Sequence, residues 1–132
     1  MPDRYTLPLR TAIASNTGGP YQHAWDRVIV PSTGVVRGVA AVAVAITSNT
    51  IQSSVDIYRQ ADAPAAGSNT ATSILQSPLT LVNNRDVVFG TPTQPGSLVT
   101  AGDVLELRTY AKTTASQPAF ENLTATVEIE RT

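Results

Sequence analysis

Leu105-Glu106-Leu107, within Ala-Gly-Asp-Val-Leu-Glu-Leu at residues 101–107, and residues 123–130, Leu-Thr-Ala-Thr-Val-Glu-Ile-Glu, alternate apolar and polar positions. Successive side chains of a β-strand point to opposite faces, so this period puts Leu123, Ala125, Val127 and Ile129 on one face and Thr124, Thr126, Glu128 and Glu130 on the other. Both segments read as half-buried strands, expected to form a closing pair. Glu106, Arg108, Glu128 and Glu130 then fall on a solvated face or an interface rim. Asp103, after Gly102, reads as a turn residue whose carboxylate accepts backbone N–H groups.

The same reading places further strands upstream. Val28-Ile29-Val30 is a short strand stopped by Pro31. In residues 35–47 the set Val36, Gly38, Ala40, Val42, Val44 and Ile46 is the expected inward face, with Arg37 on the other and alanine weakening the contrast. After a turn at Ser48-Asn49-Thr50, residues 51–59 resume the alternation, with Val55 and Ile57 opposite Asp56 and Tyr58, and complete an expected hairpin. Residues 61–72 have loop composition, residues 74–82 read as a strand weakened by Pro78, and residues 87–89 as a short strand. No segment carries a helical period. About 7–8 short strands separated by turn signals predict an all-β fold, an antiparallel β-sandwich or jelly roll.

Residues 1–24 show no sustained period and contain the loop cluster Ser15-Asn16-Thr17-Gly18-Gly19-Pro20. They are expected to form an extended N-terminal arm, with a single sandwich domain over residues 25–132. Ordering a backbone costs roughly 1–2 kcal/mol per residue, more than Tyr5, Leu7, Leu9 and Ile13 can return. The arm is therefore either mobile in the free monomer or docked on something larger, and Tyr5, Leu7, Leu9, Ile13, Tyr21 and Trp25 are the candidate partner-binding residues.

A length of 132 residues fits one domain with one core. With 14% charged residues and a net charge of -1, nothing attracts nucleic acid or an anionic membrane, and neither is expected as a partner. There is no cysteine, so disulfides, thiolate nucleophiles and zinc–cysteine sites are excluded. No apolar run is long enough to cross a bilayer, and the N-terminus lacks the pattern of a secretory signal.

Candidate chemistry is sparse. His23 is the only histidine and has no partner motif, so it reads as a surface or docking residue. The carboxylates are scattered, and nothing places two of them in a cleft as a glycosidase needs. Asn83-Asn84-Arg85-Asp86 lacks the spaced carboxylates of a calcium loop and reads as a β-turn, while Gly34-Val35-Val36-Arg37-Gly38 lacks the Lys-Ser or Lys-Thr and the helix of a phosphate loop. No catalytic residue, metal or cofactor is expected.

The order of elements resembles that of small β-sandwich domains in tailed-bacteriophage virions: capsid decoration (cement) proteins, head fibres and related tail appendages. The resemblance covers about residues 34–131. It is carried by the long strand 34–46, by Ser54-Val55-Asp56-Ile57-Tyr58-Arg59, by a Pro/Thr-rich middle, by Ala101-Gly102-Asp103-Val104-Leu105-Glu106-Leu107 and by the terminal strand 123–129. It implies a non-catalytic decoration protein that binds the major capsid protein on the outer capsid surface, stabilises the head and assembles as a homotrimer. The alternative it leaves open is a receptor- or carbohydrate-binding module of a tail or fibre, for which Trp25, Tyr58, Tyr110 and Phe120 would have to line a groove. An aromatic content of 5% is thin for that task.

Overall fold

The computed structural model of the chain describes residues 3–14, 22–46, 51–61, 71–93, 98–112 and 120–132. Its strands are β1 (Arg4–Ala14), β2 (Gln22–Ile29), β3 (Gly34–Ile46), β4 (Ile51–Gln60), β5 (Thr72–Ser73), β6 (Leu79–Thr80), β7 (Val88–Gly90), β8 (Leu98–Val99), β9 (Val104–Lys112) and β10 (Phe120–Arg131). Sheet A has the order β1-β10-β3-β7, with β8 also on β3; sheet B has the order β2-β9-β4-β5, with β6 also on β4. The chain changes sheet between β1 and β2, β2 and β3, β3 and β4, β6 and β7, β8 and β9, and β9 and β10. That is the connectivity of a jelly roll, so the expected all-β sandwich is the observed fold.

Individual strands match the sequence reading better than their pairings do. β3 and β4 lie in opposite sheets, as do β9 and β10, so neither expected hairpin exists. The linkers 47–50 and 113–119 are long enough to bridge the ~10 Å between packed sheets, and the buried faces of both strands in each pair can then meet across one core. Leu105 and Leu107 from β9 and Leu123, Ala125, Val127 and Ile129 from β10 are fully buried there, joined by Val55 and Ile57 of β4.

Residues 4–14 are the largest departure. They are not a free arm but the edge strand β1, in register with β10 from Arg4↔Glu130 to Ala14↔Phe120. Tyr5 and Leu7 pack against the core and Leu9 is fully buried. Because Arg131 donates its N–H to the Asp3 carbonyl, the odd residues of β1 bond to β10 and the even ones face the open edge. Pro8 occupies one of those outward positions, where a missing N–H costs nothing. The Arg10 N–H, also outward, donates to Asp26 Oδ2 at 2.7 Å. Pairing and burial supply the stabilisation that isolated side chains could not.

The phase of β3 also differs from expectation. Glu128 opposes Gly38 while Ile129 opposes Val36, so Arg37 is an extra residue in a β-bulge. Beyond it the inward set is Val39, Ala41 and Ala43, and Val44 is 41% exposed. One inserted residue moves every later side chain to the other face, which the expected set of Gly38, Ala40, Val42, Val44 and Ile46 did not include.

Two turns fix the ends of the sandwich. Thr100 donates its N–H to Asp103 Oδ2 at 2.8 Å, as expected for that aspartate, and Gly102 has φ of 95°. In the 83–86 turn, Arg85 donates its N–H to the Ala43 carbonyl and Asn84 Oδ1 accepts the Ile46 N–H, which satisfies the free edge of β3. Gly34 is packed closely: a Cβ there would collide with the Glu130 carbonyl oxygen and Ile129 Cγ2. Gly34→Ala should therefore lower stability by about 1–3 kcal/mol in urea unfolding, whereas Gly38→Ala, whose Cβ meets only Glu128 Cβ at 4.0 Å, should change it little.

Candidate functional site

The six residues expected to hold a partner do not form one exposed set. The Tyr5 hydroxyl donates to the Ser32 carbonyl, and the Arg131 guanidinium lies 4.7 Å from its ring centroid. Burial raises the Tyr5 pKa, opposed by the bond to Ser32 and by the Arg131 charge. Leu7 and Leu9 belong to the chain's own core. Trp25, the extra residue at a bulge in β2, donates Nε1 to Thr109 Oγ1 at 2.6 Å. Ile13 lies in β1 opposite Glu121, with its side chain outside the described residues, and Tyr21 lies outside them altogether. The docking-arm reading is corrected for Tyr5, Leu7 and Leu9, which strand pairing has turned inward.

The densest polar constellation lies where the sequence predicted solvent. β9 runs through the middle of sheet B and projects Glu106 and Arg108 outward. Register brings Arg27 of β2 and Tyr58 of β4 beside Glu106, and Asp56 of β4 beside Arg108. Glu106 is 0% exposed and Arg108 5%. The Glu106 carboxylate holds Arg108 Nε at 2.5 Å and Arg27 Nε at 3.2 Å, one on each oxygen. Arg27 Nη2 also donates to Gln60 Oε1 at 2.8 Å, and the Arg108 guanidinium lies 4.2 Å from the Tyr58 ring centroid. Alternation assigned these residues correctly to the outer face, but their long side chains cover one another.

This cluster is built for cohesion more than for chemistry. Glu106 is engaged by two guanidiniums and is thus poorly placed to take a proton from a substrate. Asp56 accepts Ser73 Oγ at 2.6 Å and the Ile57 N–H at 2.8 Å, fastening β5 to β4. Burial raises the Asp56 pKa above 3.8, opposed by those two bonds and by the Arg108 charge. The folded state then holds this proton more tightly than the unfolded chain does. Asp56 therefore adds stability as the pH falls through its raised value toward 3.8, and that contribution is lost above it. Urea unfolding of the protein and of Asp56→Asn should show the difference shifting in favour of the unsubstituted protein as the pH falls; a pH-independent difference would count against the assignment.

The outer face of sheet A is different in kind. Near the termini it carries a ladder of ion pairs, Arg4 to Glu128 at 2.5 Å, Arg4 to Glu130 at 3.3 Å and Arg37 to Glu130 at 3.4 Å. Farther along, Pro8, Thr126, Ala40 and Phe89 align across the four strands. Phe89 is 78% exposed and Val87 53%. Beside Phe89 is an open notch of about 190 Å³ over Gly38, walled by Thr6, Ala40, Thr126 and Glu128.

The aromatic residues that a carbohydrate site would need do not converge. Phe120 is 0% exposed in the core, Trp25 is tied to Thr109, and Tyr58 lies against Arg108 on the outside of sheet B. Among the described residues no group of three or more His, Cys, Asp or Glu is placed to hold a metal ion, and no helix is long and apolar enough to cross a membrane.

No protein-family model matches the chain, and no curated protein matches it. Among solved structures, a chain of the capsid of Ralstonia phage GP4 is similar to it with a TM-score of 0.57 at 14% identity, over 98% of this chain and 85% of that one. The two share a fold. Eiger TNF from S. frugiperda aligns over 100% of this chain and 96% of that one at 15% identity, but with a TM-score of 0.43, which supports no argument.

Proposed function

We propose that the chain is a non-catalytic structural protein of a bacteriophage virion, a decoration protein that binds the major capsid protein on the outer surface of the head and stabilises it. The observation that carries this reading is the jelly-roll likeness to a phage capsid chain over 98% of the sequence. Fold alone does not fix function, and three features of the chain support the choice. Its most buried carboxylate is committed to two arginines. Its single histidine stands in no catalytic sequence motif. Its surface combines weak net charge with an exposed apolar patch, the composition of a protein that packs against neighbours. The tail or fibre glycan module has less support, since Phe120 is in the core, Trp25 is bonded to Thr109 and Tyr58 lies against Arg108 on the outside of sheet B.

Cosedimentation tests the proposal. Purified chain mixed with tailed-phage heads that lack their decoration protein should pellet with them in a fixed ratio and raise their thermal stability. A chain that stays in the supernatant at every salt concentration overturns the reading.

A further inference from the structure

On the outer face of sheet B Glu106 and Arg108 are buried among their neighbours and Ile29, at its edge, is 65% exposed; the outer face of sheet A carries Phe89 at 78% and Val44 at 41%. We propose that the outer face of sheet A packs against the same face of a second copy of this chain about a two-fold axis, with Phe89 of each copy seated in the notch over Gly38 of the other.

The fit comes first from shape. Knob and notch lie side by side on one face, Phe89 aligned with Ala40 and Gly38 two residues along β3. A two-fold axis lying in the contact plane midway between them places each knob over the other copy's notch, as an isologous interface requires. The notch exists because residue 38 has no side chain: a Cβ there would have nothing closer than Glu128 Cβ at 4.0 Å.

Charge selects the same occupant. The ladder on this face holds two arginines, Arg4 and Arg37, and two glutamates, Glu128 and Glu130, interleaved. A ladder of both signs complements its own copy, while a partner surface of one sign would gain nothing from it; Arg10, farther along the same face of β1, adds one positive charge. The rows beyond, Thr6, Pro8, Thr126 and Ala40, are uncharged and short, and so suit flat sheet-on-sheet packing.

Area is sufficient. Three long strands at about 4.8 Å spacing and roughly 36 Å of strand length present a face on the order of 500 Å² before side-chain relief and the Phe89 flank are added. That meets the roughly 1,000 Å² in total that a specific interface needs, below the roughly 800 Å² per partner of a standard one. Edge-to-edge growth is the competing mode, and β1 resists it: Pro8 has no N–H to offer, and the Arg10 N–H is taken by Asp26.

Sedimentation equilibrium of the full chain, of Phe89→Glu and of Gly38→Leu tests the proposal. At tens of micromolar the unsubstituted protein should have twice the 13.9 kDa chain mass. Each variant should keep the native near-ultraviolet signal of the folded chain and weaken association by at least ~30-fold, one by burying a charge and the other by filling the notch. An unsubstituted protein of one or three chain masses overturns the two-fold contact, as does a variant that associates as before. The test is independent of the virion reading, because mass in solution and binding to heads are separate measurements.

Discussion

A chain lacking residues 1–14 should fail to fold cooperatively, giving no sigmoidal urea transition and no native near-ultraviolet signal. β1 covers the length of β10 from Phe120 to Glu130, and its removal would leave that strand as a long exposed edge prone to aggregation. It would also uncover the core above Leu9 and strip away the packing of Tyr5 and Leu7. Burial of such side chains is worth about 1.5–3 kcal/mol each, and together these losses rival the whole ~5–15 kcal/mol stability of a domain. The single substitution Leu9→Ala removes a fully buried side chain and should cost about 2–5 kcal/mol by itself, read as a lower urea midpoint at unchanged slope. A truncated chain with a native transition would show that β1 is an accessory after all.

Glu106→Ala should be the most damaging substitution of a charged residue among the described ones, at about 3–5 kcal/mol. It would leave Arg108, 5% exposed, and the half-buried Arg27 side chain facing an emptied site with like charges and no carboxylate between them. Glu130→Ala offers the contrast. Its partners Arg4 and Arg37 have side chains 49% and 45% exposed, water can replace the lost bonds, and the cost should stay under about 1 kcal/mol. Chemical denaturation of the two variants under one buffer gives the comparison; equal costs would mean that the sheet B cluster is no more cohesive than a surface pair.

The contrast between these residues shows what the sequence could reveal. β4, β9 and β10 were legible because Val55, Ile57, Leu105, Leu107 and the set from Leu123 to Ile129 alternate against polar neighbours, and all of these apolar residues are buried. β3 was legible as a strand but not in phase, since alanines stand on both parities and the bulge at Arg37 is fixed by its pairing with β10. β1 carried its own signal in Tyr5, Leu7, Leu9 and Thr11, masked by Pro8, which is harmless at an outward edge position. Pairing partners could not be read locally at all: β1 and β10 meet from opposite ends of the chain.

For the candidate surfaces, alternation put Glu106 and Arg108 on the correct face while missing that Arg27, Gln60 and Tyr58 close over them. Those contacts come from strands distant in sequence. The exposed patch at Phe89 was similarly silent, because an apolar residue in a short strand reads as core until its neighbours are known. Physical reading therefore reached the fold class and the apolar faces of β4, β9 and β10, and left the rest of the core and the interaction surfaces to the three-dimensional structure.

The claim that most needs testing is the role on a virion. A cryo-electron-microscopy reconstruction of a phage head saturated with the purified protein tests it most directly. The account predicts jelly-roll density on the outer shell, lying on the major capsid protein and accommodating all strands from β1 to β10. A bare outer shell, or this density at the tail or on a fibre instead, would contradict it.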